Sequence, residues 1–152
     1  MTMRIDYTKV APAGVKALGG VYGYIVQSGL DERLVELVYL RVSQINGCAY
    51  CIGLHTSDLT RNGVSFQKLA LLQAWREAGA MFNDRERAAL RWAESLTRVA
   101  ETGAPDEDYA AVSAIFAEKE VADLTIAIGL MNAFNRLGIG LRRPPEAPDA
   151  GA

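Results

Sequence analysis

Apolar residues recur at helical spacing almost from end to end of this chain, and no segment alternates apolar and polar long enough to suggest a half-buried strand. The pattern predicts an all-α fold of about six or seven helices. A first apolar segment runs from about Val15 to Ser28, punctuated by glycines. Asp31 can cap a second helix reaching Ile45, Asn46-Gly47 breaks the chain, and a third helix runs from about Cys48 to Arg61 before Asn62-Gly63 stops it. Ser65 opens a fourth to about Ala78, Asp84 a fifth through Val99, and Pro105-Asp106 a shorter sixth to about Phe116. The last spans about Lys119 to Leu137. Residues 1–143 read as a single helical domain and residues 144–152 as a Pro-rich mobile tail.

Two of these helices carry further information. The last is apolar nearly all round, through Leu124, Ile128, Leu130, Met131 and Phe134, so it must be enclosed on several sides. Asn132, Asn135 and Arg136 are its polar exceptions and need hydrogen-bond partners if they are enclosed. In the second helix, Leu34, Val35, Val38, Val42 and Ile45 form one apolar stripe, with Glu36 on the opposite side. The pattern alone makes Glu36 a solvated surface carboxylate, because Glu is rarely buried without a partner. The alternative is that this opposite face lines a pocket, where a shielded carboxylate could relay protons.

Composition narrows the class. A chain of 152 residues with 50% hydrophobic content is ample for one domain with a real core. The balance of 16 basic against 18 acidic residues, with no basic stripe, argues against a nucleic-acid partner. The first residues carry Arg4 and Asp6 and lead into an apolar stretch broken by Pro12 and Lys16, which resembles neither a signal peptide nor a membrane span. A cytoplasmic protein with no membrane partner is the expectation.

The chemistry concentrates in one place. Cys48 and Cys51 are the only cysteines, and the only histidine, His55, follows four residues later in Asn46-Gly47-Cys48-Ala49-Tyr50-Cys51-Ile52-Gly53-Leu54-His55. On a helical projection Cys51 lies roughly 60° and His55 roughly 20° from Cys48, so all three share a face. Inert core cysteines explain such clustering poorly. A zinc site has only three of the ligands it needs, so no metal is expected. A purely structural disulfide would close too short a loop to stabilise much. A redox-active pair remains, which in a reducing compartment is more often catalytic than structural. The start of the helix favours a thiolate at Cys48, whereas His55 one turn on favours Cys51; the pattern leaves both open.

Glu36, Cys48, Cys51 and His55, at these spacings, resemble the signature of the alkylhydroperoxidase D-type (AhpD-like) proteins of the carboxymuconolactone decarboxylase superfamily. Asn46-Gly47 before the thiols, Tyr50 between them, the run from Glu86 to Glu94 and Asn132-Ala133-Phe134-Asn135-Arg136 extend the likeness over about residues 15–145. The resemblance implies an all-helical domain that assembles into homo-oligomers, trimers or hexamers, with thiol-dependent peroxidase activity on organic hydroperoxides. It implies Cys51 as the peroxidatic thiol, Cys48 as the resolving thiol, and His55 with Glu36 as a proton relay. Tyr50 and Asn46 would support the site. No bound cofactor is implied, only an external dithiol or thioredoxin-like reductant. Some members carry a histidine where this chain has Tyr50, and a phenol is not an equivalent base near neutral pH. The alternatives are a thiol-disulfide oxidoreductase or redox sensor and, less well matched, a lactone decarboxylase-like or non-enzymatic assembly protein.

Overall fold

A computed structural model of the chain describes residues 2–145, so most of the expected Pro-rich tail, residues 146–152, lies outside the described residues. Nine α-helices are present among them and no strand. In chain order they are α1 (Tyr7–Val10), α2 (Pro12–Val26), α3 (Glu32–Asn46), α4 (Ala49–Arg61), α5 (Phe66–Leu71), α6 (Asp84–Thr97), α7 (Val99–Thr102), α8 (Asp106–Ser113) and α9 (Glu118–Gly140). The single turns α1 and α7 account for the excess over the number expected from periodicity.

Local chemistry explains most of the boundaries. Asp31 caps α3 by accepting the Leu34 N–H at 2.9 Å, an interaction worth about 1 kcal/mol. Gly47 ends α3 in the left-handed conformation at φ 74°, which a residue with a Cβ adopts at a cost. The chain thereby turns at once into α4. At α6 the cap is Asn83 rather than the expected Asp84: Asn83 accepts from the Glu86 N–H while Glu86 accepts from the Asn83 N–H, a reciprocal capping box.

The fourth helix is shorter than expected, because α5 tightens into a 3₁₀ turn at Leu72–Ala74. The buried Trp75 follows, and Arg87 of α6 donates to the carbonyls of Trp75, Arg76 and Gly79. With a cation on those carbonyls the segment makes 3₁₀-type turns in place of a continued α-helical ladder. Sequence periodicity contains no signal for that.

The core has two parts, and α3 separates them. Leu34, Val35, Val38, Tyr39 and Val42 pack with residues of α2, α6, α8 and α9, whereas Leu37 and Leu40 pack with Leu59, Leu69, Leu72, Trp75, Phe82 and Leu90. Burying each such side chain contributes about 1.5–3 kcal/mol. Helix α3 is therefore enclosed on both faces, and the expectation that Glu36 is solvated is overturned: it is 6% exposed. Helix α9 meets α2, α3, α4, α6 and α8, as its all-round apolarity requires, and leaves Ile126 and Ile139 exposed. Its polar residues find partners. Asn135, fully buried, donates to Ser43 Oγ and accepts from Asn46; Asn132 donates to the Ile128 carbonyl and also accepts from Asn46; Arg136 donates to Asn132.

No described helix is long and apolar enough to cross a membrane.

Candidate active site

The turn at Gly47 fixes the first functional side chain. Cys48 is the N-cap of α4, so the helix begins one residue later than expected, and Cys48 Sγ accepts the Cys51 N–H at 3.4 Å. A sulfur at that position meets the unpaired N–H groups and positive end of the helix, which favour a thiolate. Cys48 and Cys51 are joined as a disulfide, with their Cα atoms 5.3 Å apart. Both are almost wholly buried.

One turn along α4, His55 places Nδ1 at 2.7 Å from Glu36 Oε2 of α3. With Glu36 ionised this nitrogen donates, which leaves Nε2 as an acceptor. Cys51, His55 and Glu36 line one cavity of about 300 Å³ that also reaches Tyr50, Asp58 and Arg143. That volume lies at the small end of the range for small-molecule sites. The fold thus assembles all four residues expected to do chemistry, and separates the two thiols: Cys51 faces the acid–base pair, whereas Cys48 caps the helix.

The supporting residues divide differently. Tyr50 lines the cavity, with the Arg143 guanidinium 3.9 Å above its ring. Asn46 does not line it; it joins the end of α3 to Asn132 and Asn135 of α9 at 3.0 and 2.9 Å, and so fixes the α3–α4 corner. Four further residues were not identified from sequence. Gly138 of α9 lies against the disulfide so closely that a Cβ there would stand 3.0 Å from Cys48 Sγ. Its one sequence signal is a glycine inside a long helix, where it costs up to about 1 kcal/mol unless something needs the space. Asp58 adds a second carboxylate whose oxygen lies within 4.8 Å of ligand atoms of Glu36 and His55. Such a trio is chemically able to hold a divalent cation, but the direct His55–Glu36 contact makes that pair a hydrogen-bonded dyad.

Tyr22 and Tyr39 complete the surroundings of Glu36. Both, with Glu36, line a second cavity of about 300 Å³, so the carboxylate stands between two chambers. Deep burial of Tyr39 and partial burial of Tyr22 push their phenols up, and the Glu36 carboxylate adds to the effect. Both therefore stay protonated and can donate. Tyr39 Oη is buried and has no hydrogen-bond partner among the described residues.

Comparison with known proteins agrees with this geometry. The carboxymuconolactone decarboxylase family pattern matches residues 12–95, which include both cysteines, His55 and Glu36. An uncharacterized Bacillus subtilis protein, YdfG, is 36% identical over 141 residues, covering 93% of this chain and 95% of its own. A crystal structure from Agrobacterium tumefaciens superposes with a TM-score of 0.93 at 37% identity, covering 97% of this chain and all of its own; that protein is of unknown function and is described as a candidate antioxidant defence protein AhpD. A peroxidase-related protein from Silicibacter, itself uncharacterized, superposes with a TM-score of 0.77 at 25% identity over 90% of this chain and 72% of its own.

Proposed function

Because the chain belongs to the carboxymuconolactone decarboxylase family, as an AhpD-like member, we propose that it is a thiol-dependent hydroperoxidase acting on organic hydroperoxides. The observation that carries this reading is the split between the two sulfurs, with Cys51 in a cavity beside the Glu36–His55 dyad and Cys48 bonded to it as the N-cap of the same helix.

In the reduced protein, His55 takes the Cys51 proton and Glu36 stabilises the resulting imidazolium. The thiolate attacks one peroxide oxygen, the O–O bond breaks, and the alkoxide leaves as alcohol with a proton returned from His55. Cys51 is then a sulfenic acid. The Cys48 thiolate attacks that sulfur, hydroxide leaves as water with one proton, and the disulfide forms. An external dithiol, small or thioredoxin-like, restores both thiols by exchange and is itself oxidised. The cycle needs no resident metal or cofactor. It needs a reducing compartment, which favours the cytoplasm. Phe66 and the α2 residues Tyr22 and Val26 are exposed apolar groups that a homo-oligomer, trimer or hexamer, would cover.

A direct test follows hydroperoxide consumption with a dithiol donor while a sulfenic-acid probe reports the intermediate. Cys51→Ser should abolish turnover and labelling; Cys48→Ser should abolish turnover but let the labelled sulfenic acid persist. Equal labelling of Cys48 in the Cys51→Ser protein would overturn the assignment. Turnover of disulfides without turnover of peroxide would favour the thiol-disulfide oxidoreductase reading, for which a separate opening at Cys48 is the supporting feature.

A further inference from the structure

The two cysteines of the disulfide border different spaces. Cys51 lines the cavity that holds Glu36 and His55, and Cys48 does not. Cys48 instead forms part of a second depression, of about 370 Å³, whose walls include Gly47, Gly138, Arg4, Arg142 and Arg143. Arg4 and Arg142 thus line the depression beside Cys48, and Arg143 borders both it and the other cavity, in a chain whose formal net charge is −2.

Their placement is built into the fold. Arg4 is tied to the end of α9 twice, its backbone N–H donating to the Leu141 carbonyl at 2.9 Å and its Nη1 to the Gly140 carbonyl at 3.0 Å. Arg142 sits at φ 57°, a left-handed conformation in which a glycine or asparagine would be expected. Arg143 donates its backbone N–H to the Gly138 carbonyl at 2.9 Å and rests its guanidinium against Tyr7 and Tyr50. None of the three pairs with a carboxylate among the described residues, and no carboxylate among them lines the depression.

Exchange chemistry says which sulfur the reductant should reach. A thiolate attacks one sulfur and expels the other, and the better leaving sulfur is the one whose developing charge is stabilised. Attack on Cys48 expels Cys51 toward His55, which can protonate or pair with it. Attack on Cys51 would require the reductant inside the smaller acid–base cavity.

We infer that the arginine-rimmed depression is the reductant's docking site, and that the reductant is a small anionic dithiol. The inference rests on the dithiol cycle proposed above. In the step itself, a reductant thiolate bonds to Cys48 Sγ, the Cys48–Cys51 bond breaks, and Cys51 leaves as thiolate and takes up a proton. The second reductant thiol then displaces Cys48 from the mixed disulfide, so the protein gains two electrons and the dithiol becomes a disulfide.

The test uses the full chain in its disulfide form, without peroxide, and two reductants that share one vicinal dithiol: dimercaptopropanol, which is neutral, and dimercaptopropanesulfonate, which carries a fixed negative charge. After correction for their rates on a small uncharged disulfide, the sulfonate should reduce the protein about tenfold faster at low ionic strength, with the advantage collapsing at high salt. Replacing Arg4→Gln and Arg142→Asn together should remove most of that advantage and leave the neutral reagent's rate unchanged. Arg142→Asn suits the left-handed backbone, and the salt dependence of the unaltered protein separates the same outcomes without any variant. Equal corrected rates for the two reagents, or an advantage that survives both salt and the substitutions, would overturn the inference. Because this half-reaction contains no peroxide, absence of peroxide turnover would refute the proposed function and leave this result standing. Charge-blind reduction in a protein that does consume peroxide would refute the docking site alone.

Discussion

Two carboxylates are buried to the same degree in this domain, Glu94 on α6 and Glu36 on α3, each 6% exposed. Glu94 is saturated: Arg41 Nε donates at 2.7 Å, Trp75 Nε1 at 2.9 Å, and Arg76 Nη1 donates to the other oxygen. It joins α3, α6 and the turn after α5. Glu36 has His55 as its one hydrogen-bond partner among the described residues, and two cavities border it. The difference teaches what burial alone does not. A buried carboxylate enclosed by fixed cations holds structure together, whereas one facing a neutralisable base and open volume can exchange protons.

The largest expected effect that separates them is on stability. Glu94→Gln leaves the nearly buried Arg41 without its counter-charge, so unfolding should become easier by about 3–5 kcal/mol, as read by denaturant titration. Activity per folded molecule should be retained. The same contrast has a pH signature. Burial pushes the Glu94 carboxyl up, but hydrogen bonds from Arg76, Trp75 and Arg41 outweigh it and hold the group below its ordinary value of 4.5. A carboxyl depressed in the folded state contributes stability above that ordinary value and loses it as pH falls through the folded one. Unfolding free energy should therefore drop on acidification below about pH 4.5 in the parent protein and much less in Glu94→Gln. An identical acid profile in the two would break the comparison from the structural side.

A smaller effect sharpens it from the chemical side. Gly138→Ala introduces a Cβ at 3.0 Å from Cys48 Sγ, so either α9 or the sulfur must shift. Overpacking of this kind costs about 1–3 kcal/mol. The loss should be larger in the disulfide form than in the Cys48→Ser, Cys51→Ser protein, as measured by paired thermal melts. Equal losses in both backgrounds would mean that Gly138 serves helix packing and not the sulfur pair.

How far the sequence reveals all this depends on how local each cause is. The cap at Asp31, the break at Gly47 and the clustering of Cys48, Cys51 and His55 within about two turns are local, and they are legible. The apolar stripe of α3 is legible too, but only as one half of the truth: periodicity identifies the strongest face and is silent about a second core on the other. That is why Glu36 reads as solvated by pattern and enters the candidate site only through a family resemblance. The turns after Leu72–Ala74 are bridged by Arg87 of α6, and the approach of Gly138 to the thiols depends on α9 meeting α4 far along the chain. No short-range pattern encodes those meetings, although a glycine inside α9 hints at one.

Glu36 and His55 are proposed above all to serve the Cys51 thiol as an acid–base dyad. The most direct test is the pH dependence of hydroperoxide reduction in Glu36→Gln, which keeps the side chain's size and removes its titration. The rate should fall by about 10²–10⁴-fold and the profile should lose a limb, with stability changed by no more than about 1 kcal/mol. A rate and pH profile indistinguishable from the parent protein's would contradict the claim and return Glu36 to a purely structural role beside Glu94.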